Sequence, residues 1–228
     1  MKPISLYEFA GSEDVLREFQ KRFLPFFAGA DPVLDIGCGR GVFLELLSSV
    51  GISSVGLDHS SQSVDVCRQK GFNVLCKDAH EYLAETPEQF GGIFCSHVIE
   101  HMDYEAARAL LSLCYRALRP RGVLVLLTPN PEDITIISEV FWLDPTHVRP
   151  YPRLLLESML HASGFEVKLT KQFLGNWRFI GRRNLPLYLL RRALLGRHFG
   201  KPNTLVIAEK AIQPVSPARE NVHCQNPS

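Results

Sequence analysis

The sequence predicts an α/β protein in which helices cover both faces of an open, doubly wound parallel sheet. Two observations carry this prediction. Apolar runs of four or five residues alternate with amphipathic helical stretches between positions 33 and 127, and a glycine-rich turn follows the first run. Continuous apolar runs are typical of parallel strands buried on both faces, and strand–helix alternation implies right-handed crossovers within one sheet.

The individual elements follow from the same periodicity. The predicted strands are Val33–Ile36, Ser54–Leu57, Asn73–Cys76, Ile93–Ser96 and Val123–Leu127. The helices between them are predicted at 42–50, 61–70, 80–85 and 104–118, after a first helix at 13–27 with Ser12 as its N-cap. Pro129 and Pro131 then interrupt the pattern. Beyond them we predict a helix at 152–162 ended by Gly164, and strands at Phe165–Thr170 and Thr204–Ala208.

Composition restricts the class of protein. With 228 residues, 46% of them hydrophobic, the chain can bury one substantial core. A net charge of +1 does not suggest a nucleic-acid binder by global charge, and the six cysteines form no CxxC pair of a zinc ribbon. The N-terminus has no secretory signal pattern, and no run of 18 apolar residues occurs. We therefore expect a cytoplasmic protein with reduced thiols.

The turn after the first strand carries the main functional signal. In LDIGCGRG, glycines at 37, 39 and 41 let backbone N–H groups approach a ligand that a Cβ would block. A dinucleotide fingerprint would need a glycine at position 42, which is Val42, and Asp35 lies two residues before the first glycine. A carboxylate there disfavours a diphosphate but suits a cationic amino-acid ligand. The alternative is a tight turn in an unrelated α/β protein.

Two more acids follow the next two strands. Asp58 comes 21 residues after Gly37, where an acid can accept hydrogen bonds from both ribose hydroxyls. Its alternative role is to cap the helix that begins near Ser60. Asp78, in Lys77-Asp78-Ala79, follows the third strand and is placed to meet an adenine amino group. Because the carboxyl ends of neighbouring parallel strands lie side by side, the acids and the glycine turn are more specific together than separately.

With FCSHVIEHM and LRPRGVLVLLTPNP, these segments resemble the ordered motifs of the class I S-adenosylmethionine-dependent methyltransferases over residues 30 to about 170. The resemblance is strongest to the branch of the quinone-biosynthesis O-methyltransferases. It implies a Rossmann-like methyltransferase fold, with a seven-stranded, mostly parallel sheet whose last strand is antiparallel. It implies a transferase that uses S-adenosyl-L-methionine for methylation, with His97 bordering the reacting methyl group. The implied cofactor-binding residues are Asp35, Gly37, Gly39, Gly41, Asp58, His59, Asp78 and Ala79.

This expectation divides the chain into three parts. Residues 1–29 form an N-terminal helical segment, and residues 30–211 form the methyltransferase domain. Within that domain, a basic helical insertion is predicted at about 174–202, where the simple fold would have a near-hairpin between strands six and seven. Residues 212–228, rich in proline and poor in apolar groups, are predicted to be a flexible tail.

Candidates for chemistry at the methyl acceptor follow strands four and five. His97, Glu100 and His101 have the spacing i, i+3 and i+4, and His147 lies in the loop DPTHVRPY. Three interpretations remain open. In the first, Glu100 and His101 fix the loop by hydrogen bonds and His147 is a surface residue. In the second, His101 or His147 is a general base. In the third, His97, Glu100, His101 and His147 hold a divalent metal. This last set resembles the metal site of the small-RNA 2′-O-methyltransferases, which have an acid at the position of His97.

The stretch DPTHVRPY is also similar to methyltransferases associated with surface-glycan assembly. We therefore predict O-methylation of a hydroxyl on a glycan, a sugar or a related small metabolite. The alternatives are an RNA 2′-O-methyltransferase, a quinone-precursor O-methyltransferase, and a catalytically inactive regulatory subunit that binds S-adenosylmethionine.

The basic insertion has a composition of its own. Residues 178–201 carry a formal charge of +7 and no acid, which leaves −6 for the rest of the chain. Six leucines surround the cations, as in a basic amphipathic helix. We interpret the segment as a helical flap over the acceptor pocket or as a peripheral contact with the inner membrane surface, and it could equally dock an anionic glycan or a nucleic-acid backbone. The acidic balance elsewhere argues against nucleic acid as a partner.

Overall fold

The computed structural model describes residues 12–173 and 185–211. Its centre is a seven-stranded sheet of order β3-β2-β1-β4-β5-β7-β6. The strands are β1 Val33–Ile36, β2 Ser54–Asp58, β3 Val74–Cys76, β4 Phe90–Ser96, β5 Leu118–Pro129, β6 Phe165–Phe173 and β7 Asn203–Lys210. Strands β1 to β5 pair in parallel, and β7 runs antiparallel to both β5 and β6. The predicted doubly wound sheet with an antiparallel last strand is confirmed.

Helices connect the strands as the periodicity predicts. They are α1 Glu13–Gln20, α2 Val42–Ser49, α3 Ser61–Gln69, α4 Ala79–Glu85, α5 Tyr104–Ala117, α6 Ile134–Ser138, α7 Arg153–Ala162 and α8 Leu185–Leu195. Four 3₁₀ segments complete the described elements: Lys21–Phe27, Ile99–His101, Val140–Leu143 and Gly196–His198. The short α6 and the 3₁₀ segment after it lie in the connection between β5 and α7.

The first predicted helix differs from the observed one in its second half. The α-helix ends at Gln20 and continues as a 3₁₀ helix to Phe27, with Pro25 inside it. A proline has no N–H and interrupts the bonding pattern of an α-helix. Ser12 occupies the N-cap position as predicted, but its side chain makes no capping hydrogen bond.

The core lies on both faces of the sheet. On one face, α4, α5 and α7 bury residues such as Leu83, Leu110 and Leu156. On the other face, the N-terminal helical segment and α2 contribute aromatic side chains, and Phe43 stacks on Phe94 of β4 with ring centroids 3.9 Å apart. Phe27 of the N-terminal segment packs edge-on against the same Phe94 ring, with centroids 6.1 Å apart. Aromatic side chains bury a large apolar area each, so these contacts fix α2 and the N-terminal segment against the sheet.

The sheet brings the functional loops to one edge. Strands β1 to β5 all end there, and β7, being antiparallel, begins there. The turns after β1, β2, β3 and β4 therefore lie beside the long connection after β5, which is where open α/β sheets bind ligands. The predicted basic insertion enters β7 at the same edge, although residues 174–184 of it, like residues 1–11 and 212–228, lie outside the described residues. The predicted division of the chain stays a prediction. Across the described ranges, the helices are too short or too polar to cross a membrane.

Candidate active site

The turn after β1 is shaped by three glycines with left-handed backbone conformations. Gly37, Gly39 and Gly41 have φ of 72°, 51° and 80°. A Cβ on Gly37 would lie 2.6 Å from the Val98 side chain, whereas a Cβ on Gly39 would meet no atom within 4 Å. Only glycine adopts such angles without strain. The turn therefore presents backbone to the cleft and leads directly into α2, for which Gly41 is the N-cap.

Asp58 links the glycine turn to the end of β2. One carboxylate oxygen accepts a hydrogen bond from the Gly39 N–H at 2.8 Å, and the other accepts from the Ser60 N–H at 2.8 Å. The cap of α3 is Ser60, whose hydroxyl accepts from the Ser63 N–H. A carboxylate has about four acceptor sites, so Asp58 retains capacity for two ribose hydroxyls.

Asp35 is a buried carboxylate beneath the same turn. It is only 3% exposed, and this burial, with the neighbouring charge of Asp58, raises its pKa well above the usual value. A buried carboxylate is costly without a positive partner. A cationic ligand beside Asp35 would lower its pKa again and restore the charged form.

Asp78 and its neighbours follow β3. Asp78 caps α4, because its Oδ1 accepts from the N–H groups of His80 at 2.8 Å and Glu81 at 3.2 Å. Both bonds use the same oxygen, which leaves Oδ2 for an amino group of a ligand. Ala79 is buried at the start of α4, and His59 is exposed directly after Asp58.

These groups fit S-adenosylmethionine in their chemistry. Asp35 offers a negative charge to a cationic amino acid, and Asp58 offers acceptors to a ribose. The open space at Gly39 and the free amides at the start of α2 suit a close approach of the ligand. The predicted cofactor residues thus lie along one edge, and their individual roles stay predictions.

A second group of side chains lies after β4. Glu100, His101 and His147 each offer a ligand atom, and these atoms all lie within 4.8 Å of one another. Glu100 is fully buried, and its Oε2 accepts a hydrogen bond from the Thr128 hydroxyl at 3.1 Å. His97 Nδ1 is 3.1 Å from the other oxygen, Oε1, but not in hydrogen-bonding geometry. Among the described residues, Oε1 is a buried oxygen without a hydrogen-bond partner.

Backbone and side-chain bonds hold the DPTHVRPY loop over this group. The Glu100 carbonyl accepts from the N–H groups of Val148 at 2.8 Å and Arg149 at 3.3 Å. The buried Tyr151 hydroxyl donates toward the carbonyls of Met102 and Asp103, at 3.0 and 2.8 Å. Burial raises the pKa of Tyr151 to about 12, so the phenol stays a donor at neutral pH. The loop and the turn after β4 therefore form one unit.

His147 is packed into this unit. Its side chain is 12% exposed, so His147 is not the surface residue that the first interpretation expected. The other part of that interpretation agrees with the structure, since the Glu100 carbonyl bonds to this loop and His101 Nδ1 lies 2.9 Å from the Thr146 hydroxyl. Its Nδ1 lies 2.6 Å from the Phe141 carbonyl oxygen, which requires the proton on Nδ1 in the neutral ring and leaves Nε2 as the acceptor or ligand atom.

Asp144 lies on the other side of this ring, with its Oδ2 3.8 Å from His147 Nε2. Partial burial opposes the ionisation of Asp144. Hydrogen bonds from Thr146 and the nearby imidazoles nevertheless lower its pKa below the usual value. Asp144 therefore keeps a negative charge beside His147.

His97 has a different place from the other three candidates. It has a left-handed φ of 57°, which is uncommon for a non-glycine residue, and its side chain is 42% exposed. It is not part of the group of mutually close donor atoms. The four-residue metal set predicted from the sequence thus becomes a three-residue set. Thr128 was missed, because a threonine at the end of an apolar strand gives no signal of the carboxylate it contacts.

Comparison with known proteins agrees with this geometry. The model of a family described as "Methyltransferase domain" matches residues 10–170. The chain belongs to this family. A SAM-dependent methyltransferase of known structure, from Archaeoglobus fulgidus, is 34% identical and superposes with a TM-score of 0.77, over 89% of this chain and 96% of that one. The predicted membership of the class I methyltransferases, with S-adenosylmethionine as cofactor, is confirmed.

Curated relatives align over a smaller share of the chain. The mitochondrial ubiquinone biosynthesis O-methyltransferase of Rattus norvegicus is 24% identical over 67% of this chain and 51% of its own length. The ubiquinone biosynthesis O-methyltransferase of Rhizobium etli is 31% identical over 59% of this chain and 60% of its own. The chain spans about half the length of the curated relatives it matches.

Proposed function

We propose that this methyltransferase methylates a hydroxyl oxygen of a small organic acceptor bound against Glu100, His101 and His147. The observation that carries the proposal is the fully buried Glu100 carboxylate, which lies beside the imidazoles of His101 and His147. Its Oε1 has no hydrogen-bond partner among the described residues, although His97 Nδ1 lies 3.1 Å from it. A buried, half-satisfied carboxylate is costly, and such a group suits a role toward a proton or a cation.

The acceptor hydroxyl must lose its proton for methyl transfer to proceed. S-adenosylmethionine supplies, when bound, a methyl group already activated on a sulfonium. Among Glu100, His101 and His147, which we call the acceptor group, Nε2 of His147 is available as a base. Its Nδ1 donates to the Phe141 carbonyl. Asp144 and Glu100 would stabilise the imidazolium that forms after it takes the proton.

The same three residues also suit a divalent cation. One carboxylate oxygen and two imidazole nitrogens within 4.8 Å form a donor set that zinc and related metals accept. A cation there would lower the pKa of a bound hydroxyl, so that a separate base is not needed. The base and metal interpretations differ in one measurable property, the sensitivity of turnover to a chelator.

The relatives' names support oxygen as the acceptor atom, since both are O-methyltransferases of ubiquinone biosynthesis. We therefore rank a catechol-like quinone precursor first among the acceptors. The glycan or sugar acceptor predicted from DPTHVRPY has no support from these relatives, and it becomes the second arm of the test. Two alternatives remain: RNA as the acceptor, and a catalytically inactive regulatory subunit that binds S-adenosylmethionine.

The test is an acceptor screen with S-adenosylmethionine labelled in its methyl group. Catechols, sugars and short RNA are each incubated with the purified protein, with and without a chelator. We expect label in a catechol oxygen. Label in a sugar, an RNA ribose or an amine would overturn the proposed acceptor. Binding of S-adenosylmethionine by calorimetry, with no labelled product in any arm, would favour the inactive subunit.

A further inference from the structure

A cavity of about 250 Å³ lies at the same sheet edge, apart from the groups described so far. Its lining contains three cationic side chains, one acid and two neutral polar groups: Arg153, Lys171, Lys201, Glu132, Thr170 and Gln172. We propose that this basic cavity binds a phosphate group carried by the methyl acceptor. The inference rests on the proposed function, because it names a feature of the acceptor.

Two fully buried polar residues hold parts of the lining of the basic cavity in place. Asn130 donates to the Lys201 carbonyl at 2.8 Å and accepts from the Gln172 side chain at 3.1 Å. Asp133 accepts from the Lys201 N–H at 2.6 Å. Buried polar networks are costly unless every member is satisfied, and satisfied ones fix their surroundings. This network fixes the Lys201 backbone and the Gln172 side chain at the cavity.

The charge of the basic cavity is only partly balanced. Within the described ranges, neither Lys171 nor Lys201 forms an ion pair, and Arg153 has a contact of 3.6 Å with Glu157. Lys168, on the same strand as Lys171, is by contrast paired with two glutamates, at 2.7 and 3.5 Å. Three cations against the single acid Glu132 give this cavity a net positive charge, which attracts an anion.

Two more donors point to an oxyanion. The Thr170 hydroxyl at the cavity is buried and has no hydrogen-bond partner in the part of the chain that the structure describes. Arg153 is the first residue of α7, and the first amides of a helix lack partners within it. A phosphate offers several acceptor oxygens, so it would satisfy the hydroxyl, the amides and the cations together.

The position of the basic cavity links it to the acceptor group. β5 and β6 end at this edge of the sheet, and β7 begins there. The loops that carry Glu100 and His147 lie at the same edge. Arg153 follows Tyr151 by two residues, and Tyr151 is bonded to the turn after β4. A molecule with a hydroxyl at one end and a phosphate at the other could occupy both places.

The phosphate could belong to a small ester or to a lipid headgroup. Exposed apolar side chains support a lipid as the source. The helix α8 precedes Lys201 of the cavity lining and exposes Leu189, Leu190 and Leu194. His198, just after α8, lies with its Nδ1 3.1 Å from the Glu132 carbonyl oxygen. The predicted membrane contact of residues 178–201 would then present the acceptor to the cleft.

The first measurement is calorimetry with glycerol phosphate. The double variant Lys171→Gln/Lys201→Gln is compared with Lys168→Gln, which removes a paired lysine of the same strand. We expect Lys168→Gln to bind like the unaltered protein and the double variant to bind at least about tenfold more weakly, as for loss of charged hydrogen bonds. Affinity for S-adenosylmethionine should be equal in all three, which shows that the variants fold.

A second variant separates binding from stability. Thr170→Val removes a buried hydroxyl without a partner, so it should leave the melting temperature unchanged or raise it, and yet weaken the binding of glycerol phosphate. Vesicles supply the other arm. Co-sedimentation with phosphatidylglycerol vesicles that the double variant loses, at equal ionic strength, would assign the phosphate to a lipid. Binding of the soluble ester alone would assign it to a small acceptor.

The inference is overturned if the unaltered protein binds neither probe, or if the double variant binds as Lys168→Gln does. Both outcomes are independent of turnover. Failure of the proposed function would appear separately, as an acceptor screen without an O-methylated product.

Discussion

The predicted cofactor side and the proposed acceptor side of the cleft are held in place in different ways. On the cofactor side, the acids lie at or next to strand ends. Asp78 and one oxygen of Asp58 bond to backbone N–H groups two or three residues away, and the other oxygen of Asp58 bonds to the Gly39 N–H, 19 residues away on the neighbouring strand's turn. On the acceptor side, Glu100 and His147 lie on two loops that are far apart in sequence and bond to each other. The sheet itself positions the first set, whereas loop-to-loop contacts position the second. The cofactor site can thus stay constant while the acceptor site changes.

The largest expected effect comes from a substitution that alters the acceptor side alone. Glu100→Gln keeps the size of the side chain but removes its charge beside the imidazoles. We expect turnover to fall by up to about 10²–10⁴-fold, the full range of general acid–base catalysis, because the imidazolium of His147 loses a carboxylate that stabilises it. The affinity for S-adenosylmethionine should not change. Single-turnover transfer of labelled methyl, with calorimetry of the cofactor, measures both. Glu105→Gln, an exposed acid on α5, is the control. A variant that loses cofactor affinity instead would contradict the separation of the two sides.

The next largest effect breaks the cofactor side. Asp35→Asn removes the charge that would face a cationic ligand. The affinity for S-adenosylmethionine should fall by about 2–5 kcal/mol, as for one partner of a buried charge pair. The melting temperature of the protein without ligand should rise, because the amide carries no buried charge. Unaltered cofactor affinity would remove Asp35 from the site.

The pH dependence of stability tests whether burial of the Asp35 carboxylate destabilises the folded protein. The pKa of Asp35 is raised on folding, so the folded state binds the proton more tightly than the unfolded state. Its contribution to stability is present below the ordinary value of 3.8 and is lost as pH rises through the raised pKa. Urea unfolding from pH 4 to pH 8 should therefore show a growing advantage of Asp35→Asn. An advantage that shrinks with pH would contradict the assigned cause.

A smaller effect loosens the contact between the two acceptor loops. Tyr151→Phe removes the hydroxyl that faces the carbonyls of Met102 and Asp103. We expect a loss of about 1–3 kcal/mol in the free energy of unfolding, and a lower turnover at equal cofactor affinity. Tyr115→Phe on α5 serves as the control for loss of a phenol. If Tyr151→Phe reduced the affinity for the cofactor more than it slowed turnover, the two loops would contribute to cofactor binding as well as to the acceptor site.

The smallest effect concerns Asp144. Its pKa is lowered, so its contribution to stability is present above the ordinary value of 3.8 and is lost as pH falls through the lowered pKa. Thr146→Val removes the hydroxyl that donates to this carboxylate at 2.6 Å. We expect a loss of about 0.5–1 kcal/mol at neutral pH and a smaller loss in acid. Urea titrations at pH 7 and pH 3 compare the two. An equal loss at both values would show that the bond does not depend on the charge.

The two sides also differ in how well the sequence predicts them. The seven strands, and the order of glycines and acids along the chain, follow from apolar periodicity and from the known edge of a parallel sheet. The hydrogen bond from the Gly39 N–H to Asp58 joins two residues that the pattern already predicts to lie close together. These features are local, or they are set by the sheet.

Other features leave no periodic signal. The buried Asn130 and Asp133 read as ordinary turn residues after a strand, and their contacts with Lys201 span about 70 positions of the chain. The left-handed φ of His97 is likewise invisible in a residue other than glycine. Side chains that bond across distant loops depend on the final packing, which no short pattern encodes.

The direction of β7 has a consequence for how such enzymes diversify. Because β7 runs against its neighbours, any segment inserted before it starts and finishes beside the acceptor, while the glycine turn and its acids stay untouched. If the proposed acceptor site is correct, we expect exchange of the whole 174–202 segment between homologues to change the methyl acceptor. Such chimaeras should inherit their cofactor from the host and their choice of substrate from the donor.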